Sequence, residues 1–70
     1  MINEVLYMEN RLFQQFCAKY SLPSLKANQL FKDCSIWQYI EDCYDTLHMS
    51  GDEYILNDIS QIMTARGVNL

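Results

Sequence analysis

Apolar residues return at steps of three and four along most of this chain, the rhythm of amphipathic helices. From Asn3 to about Tyr20 the positions Val5, Leu6, Leu12, Phe13, Phe16, Cys17 and Tyr20 trace one side of a first long helix. Asn3 suits its N-cap, and Glu4 favours the positive end of its dipole. Ser21-Leu22-Pro23-Ser24 then interrupts the pattern, because proline disfavours helical geometry at Leu22 and can itself open the next helix. A shorter second helix is predicted from Ser24 to Cys34, burying Leu25, Leu30, Phe31 and Cys34.

Ser35 is a plausible cap for a third helix, Ile36 to His48, whose apolar set is Ile36, Trp37, Tyr39, Ile40, Cys43, Tyr44 and Leu47. That arc is wider than one contact stripe, which predicts a central helix touching more than one neighbour. A fourth helix runs from Asp52 or Glu53 to about Ala65, burying Ile55, Leu56, Ile59, Ile62 and Met63, with Gly67 as the residue that ends it. No strand alternation, repeat or low-complexity tract occurs. The expected fold is all-α: a compact single-domain bundle of about four helices with short loops, spanning residues 1–70.

Seventy residues make one domain, and a chain this short buries only about 60% of the surface its unfolded form exposes. Half the residues are apolar and nine are aromatic, enough for a packed core rather than a disordered chain. The net charge of −4, with only five Lys and Arg, argues against nucleic acid or an anionic membrane as partner, since phosphate binding draws its affinity from basic stripes. From Asp33 to Asp58 there are seven acids and no Lys or Arg. Two readings of that stretch stand side by side: a solvated flank that aids solubility, or a docking face for a basic partner.

Cys17, Cys34 and Cys43 are an odd number with no C-x-x-C pair, unlike the even, dense set of a small secreted domain. The start, Met-Ile-Asn-Glu, carries no basic run and no unbroken apolar stretch, so neither a signal peptide nor a transmembrane span is expected. A cytoplasmic location with reduced thiols follows.

The stretch LHMSGDEYILND, Leu47 to Asp58, holds the single histidine and one of two glycines. Each residue has a structural task available in a junction between two helices. Gly51 falls where a left-handed residue would end the third helix. His48 lies in the last turn, where a ring nitrogen can reach a free carbonyl and Asp45 can hold the ring. Ser50 and Glu53 fit an S-x-x-E capping box for the fourth helix. Cys43 and His48, five residues apart, point away from each other on a helix, so no metal site and no other cofactor is expected. No Ser or Cys has a histidine and a third orienting residue suitably placed, and no glycine-rich loop is present, so the chain is not read as an enzyme and has no candidate catalytic residue.

Two aromatic residues lie off the apolar stripes. Tyr7 is nearly opposite the stripe of the first helix, and Tyr54 faces away from Ile55, Ile59 and Ile62 with Asp58 one turn on. Three readings remain open: isolated surface groups, rings covering the end of the third helix near His48 or Tyr44, or interface anchors.

CYDTLHMSGDEYILNDISQIM resembles the signature of a short bacterial family of unknown function, a Tyr-Asp-x-Leu-His, then a Gly, then Glu-Tyr-Ile-x-x-Asp-Ile. The upstream QLFKDCSIWQYIEDCYDTLH fits the same pattern, while Pro23-Ser24 stands where such proteins show Ser-Gly. The positions carried over are Tyr44, Asp45, Leu47, His48, Gly51, Glu53, Tyr54, Ile55, Asp58 and Ile59. Such proteins are commonly encoded beside larger ones resembling ADP-ribosyltransferase-type toxins, so the resemblance implies an antitoxin-like or accessory role. The functional expectation is a protein–protein interaction domain whose partner is a basic toxin-like enzyme, bound through Glu41, Asp42, Asp45, Tyr54 and Asp58. The alternative is a helical module that associates with itself and has no toxin partner.

Overall fold

The inward stripe of the first helix is set by Met8, Leu12 and Phe16, spaced four residues apart and all buried. In the computed structural model, which describes residues 3–70, this helix is α1, Glu4–Tyr20. Met1 and Ile2, on which the expectations of no signal peptide and of a 1–70 domain in part rest, lie outside the described residues. The Asn3 side chain caps α1 as expected, accepting from the backbone N–H groups of Val5 and Leu6 at 3.1 and 3.2 Å. Leu6, one position off the stripe, is exposed, while Glu9 is nearly covered.

Ser21 closes α1 in the left-handed conformation, at φ 52°, and the Leu22 N–H returns to the Cys17 carbonyl. α2, Ser24–Asp33, then packs back on α1. Its buried stripe is Ala27, Phe31 and Cys34. Leu25 departs from the expectation and is 85% exposed, because it lies six residues before Phe31 and so falls outside that narrow stripe. A second left-handed serine, Ser35 at φ 55°, turns the chain into α3. Ser35 holds the N-cap position as expected but makes no side-chain cap bond.

The expected third helix is two helices. α3 covers Ile36–Asp42 and α4 covers Tyr44–Leu47, separated by Cys43 at φ −106°, ψ 13°. Backbone bonding restarts at the Cys43 carbonyl, which accepts from Thr46 and Leu47. The apolar arc read from the sequence was too wide for one straight helix to bury. The break lets α3 insert Ile36 and Ile40 while α4 inserts Leu47. α3 still sits centrally, against both α1 and α2. There Phe13, Phe31 and Trp37 form an aromatic cluster, with Phe31 4.8 Å from Trp37 and 5.3 Å from Phe13 between ring centroids.

α5, Asp52–Ala65, buries Ile55, Leu56, Ile59 and Met63 against α1 and the rest of the core. Gly67, at φ +89°, ends it with the Val68 N–H on the Met63 carbonyl. The result is an all-α globule of five helices, 35 × 21 × 19 Å, with no strand among the described residues. No helix among them is long and apolar enough to cross a membrane.

Candidate interaction surface

The seam between α1 and α5 is electrostatic at its edge. Arg11 Nη2 donates to Asp52 Oδ1 at 3.1 Å, and Gln15 Nε2 donates to Oδ2 at 2.9 Å. Arg11 Nε lies 3.1 Å from Oδ2 without the alignment of a hydrogen bond. Lys19 Nζ reaches Glu53 Oε2, also at 3.1 Å. Both acids at the start of α5 therefore have internal cations, and both also favour the positive end of its dipole.

The break at Cys43 opens a different surface. Between α3 and α5 lies a hollow of about 430 Å³, walled by Tyr39 and Cys43, by Thr46 and Leu47 of α4, by the Ser50–Gly51 loop, and by Tyr54 and Asp58 of α5. Tyr39 Oη donates to Asp58 Oδ2 at 3.1 Å, a bond between residues 19 positions apart. Burial pushes the Tyr39 hydroxyl up to about 12, and the Asp58 carboxylate adds to the shift by charge and by accepting the proton. Tyr54, one helical turn before Asp58, is 62% exposed at the rim. Asp58 has no cation, for the ion pairs among the described residues are Arg11–Asp52 and Lys19–Glu53.

A second hollow, about 360 Å³, lies on the α1 side of α4, between Glu4, Tyr7, Met8, Arg11, Tyr44 and His48. Tyr44 Oη donates to Glu4 Oε2 at 3.1 Å. Burial raises the Tyr44 hydroxyl above its ordinary value, and this bond adds to the effect. The His48 ring stacks on Tyr44 at 5.2 Å, with Nδ1 3.0 Å from the Tyr44 carbonyl. Arg11 lies over the Tyr7 ring at 5.6 Å, so that cation is engaged on both sides.

The junction residues settle differently from their expected tasks. The His48 ring does reach a carbonyl of the last turn, but one that already accepts the His48 backbone N–H, and the ring is held by Tyr44 and not by Asp45. Gly51 is not left-handed: at φ −73°, ψ 152° it is extended and serves as the N-cap of α5. Helix termination needs no glycine there because α4 ends at His48 and the chain leaves through Met49 and Ser50. The Ser50–Glu53 capping box is absent as well. Ser50 Oγ turns back to the Thr46 carbonyl at 3.4 Å, and Glu53 is drawn to Lys19.

Of the five residues expected to bind a partner, Tyr54 and Asp58 come together in the first hollow. Glu41, Asp42 and Asp45 are exposed on α3 and α4 outside its walls. Asp42 accepts from Gln38 at 2.8 Å, and Glu41 faces Glu9 of α1. Burial pushes the Glu9 carboxyl above the usual carboxylate range, and the Glu41 charge adds to that. Tyr54 packs on neither His48 nor Tyr44, which border the other hollow. Tyr39, Thr46 and Leu47 were not singled out as surface residues from sequence. Their shared wall exists only because the helix breaks. A core-edge tyrosine facing an acid on another helix is the only signal that was available.

Cys17, Cys34 and Cys43 are free thiols on separate elements. Among the described residues no three His, Cys, Asp or Glu side chains converge as metal ligands would.

Fold and surface together define a small all-α domain with two aromatic-walled hollows on either side of α4. Residues 11–66 match the family described as "Protein of unknown function (DUF3791)", and the chain belongs to that family. No curated protein matches the chain. No solved structure does either.

Proposed function

We propose that this chain is a protein–protein interaction domain, an antitoxin-like or accessory partner of a bacterial toxin-like enzyme encoded beside it in the cytoplasm. The observation that carries the reading is the Tyr39–Tyr54–Asp58 hollow, an apolar concavity with an uncompensated carboxylate and an exposed tyrosine at its rim. Tyrosine at the mouth of a desolvated pocket is typical of the centre of an interface. Glu41, Asp42 and Asp45 supply negative potential nearby, which speeds encounter with a basic partner. Leu47, Gly51, Tyr54 and Asp58 of the signature stretch all border this hollow. The toxin-like identity of the partner rests on the resemblance of that stretch.

Co-purification of the tagged chain with its genomic neighbour tests the reading. A stoichiometric complex, with association slowed by the double charge reversal Glu41→Lys/Asp42→Lys and more so at low salt, is the expected result. A neighbour that never co-purifies refutes the toxin-partner assignment. A second reading, self-association without a toxin partner, draws on Leu25 and Met49, which are 85% and 81% exposed. A molar mass that rises with protein concentration would favour it.

A further inference from the structure

The walls of the hollow specify what enters it. Two tyrosine rings and Leu47 form an apolar sleeve, and the one charged group lining it is the Asp58 carboxylate. Asp58 Oδ2 takes the Tyr39 hydroxyl, which orients the carboxylate and leaves Oδ1 without a hydrogen bond among the described residues. No Lys or Arg occurs between Asp33 and Asp58, and Arg66, the next cation, directs Nη1 to the Asp33 carbonyl at 3.4 Å. Among the described residues, therefore, no cation is supplied to this pocket. An apolar side chain inserted here would strip water from Asp58 and leave its charge unpaired, which is costly. An anionic one would be repelled.

From this geometry we infer that the hollow receives an arginine side chain of the protein partner, an inference that rests on the docking reading above. The arginine stem packs along Leu47 and the tyrosine rings, and its guanidinium stacks on an aromatic face while donating to Asp58. A planar guanidinium meets both demands, whereas an ammonium satisfies the charge without the stacking. In this arrangement Tyr54 is a wall of the receiving pocket and not a knob inserted into the partner.

Amide NMR titration of the full chain with the capped tripeptide acetyl-Gly-Arg-Gly-amide tests this without the partner. The expected result is saturable shifts at Thr46, Gly51 and Tyr54, with α2 amides unmoved. The same peptide with citrulline, which keeps the shape and loses the charge, should bind about tenfold more weakly. Asp58→Asn, which can still accept from Tyr39, should weaken the arginine peptide by a similar factor, while Asp45→Asn should not. Equal binding of the citrulline peptide, or no saturable shift at these amides, overturns the inference. The two readings fail separately. A partner that binds the Asp58→Asn chain as tightly as wild type, yet is lost on Glu41→Lys/Asp42→Lys, keeps the docking reading and removes the arginine. Peptide binding with no protein partner does the reverse.

Discussion

Asp52 and Asp58 stand on the same helix and occupy opposite electrostatic settings. Asp52 faces α1, where Arg11 and Gln15 both donate to it. Asp58 faces the α3–α4 corner, where its donor is the neutral hydroxyl of Tyr39. Lys19 does for Glu53 what Arg11 does for Asp52. So the acids that open α5 are spent on holding it to α1, while the acid one and a half turns later is oriented but not neutralised. The acidic stretch that reads as uniform along the chain is divided by the fold into a structural part and an available part. Only the second is suited to recognising another molecule.

The comparison breaks most readily at the seam. Arg11→Ala should cost on the order of 1 kcal/mol, since it leaves the half-buried Asp52 with Gln15 alone; that figure is kept low because both partners are about one-third exposed. Asp58→Asn should change stability by less than about 0.5 kcal/mol, because the Tyr39 bond survives and no ion pair is lost. Urea denaturation of the two variants checks the contrast. Equal losses would mean that Asp58 is as structural as Asp52.

The ends of α5 sharpen the same division. Gly67 is left-handed and Gly51 is not, and neither has a neighbour that an added methyl would strike. Gly67→Ala should therefore cost about 1 kcal/mol through backbone strain. Gly51→Ala should lie within a few tenths of zero, its lower chain entropy offset by a poorer N-cap. Thermal melts of both variants are the measurement. A large loss at Gly51 would show that the loop bordering the hollow is held in place more tightly than its open surroundings indicate.

A smaller effect comes from the acid pair on the far side of α3. Glu9 is pushed above its ordinary value by burial and by Glu41, so the fold binds its proton more tightly than the unfolded chain does. Its contribution is fully present below the unfolded value and is lost as pH rises through the folded one. Glu9→Gln should then stabilise the domain at neutral pH by on the order of 0.5 kcal/mol. The gain should vanish as the medium is acidified below the unfolded carboxyl value. Urea midpoints measured across that range test the sign.

Tyr39 gives the smallest signal, at the alkaline end. Burial and the Asp58 carboxylate push its hydroxyl up to about 12 in the fold from the ordinary 10.0, so its contribution is intact below the unfolded value and is lost as pH rises through the folded one. Spectrophotometric titration should show a late phenolate step in the wild type that Tyr39→Phe removes. Loss of an early step instead would show that the Tyr39–Asp58 bond does not hold in solution.

Helical periodicity made α1 and α5 legible almost to the residue, with Asn3 and Gly67 at their ends, because local bonding and capping decide those positions. It failed where tertiary contacts decide. Nothing in Asp42-Cys43-Tyr44 resembles a helix breaker, since neither glycine nor proline is present. The break comes from a face too wide to bury straight, with Tyr39 drawn to α5 and Tyr44 to α1. The breaks at Ser21 and Ser35 were legible as positions, but their left-handed backbone was not, since serine rarely adopts it; of the two glycines, Gly67 is left-handed and Gly51 is not. The candidate site inherits this limit. Tyr54 and Asp58 were readable as an exposed pair one turn apart, but the hollow they border is a product of the break.

Hydrogen–deuterium exchange of the chain, free and in complex with the proposed neighbour-encoded partner, tests the central claim most directly, because it reports which backbone such a partner covers. The account predicts slowed exchange from Cys43 to Asp58, on both sides of the hollow, with the amides of α2 unchanged. Protection centred on α2 and its exposed Leu25, or failure of any complex to form, would contradict it.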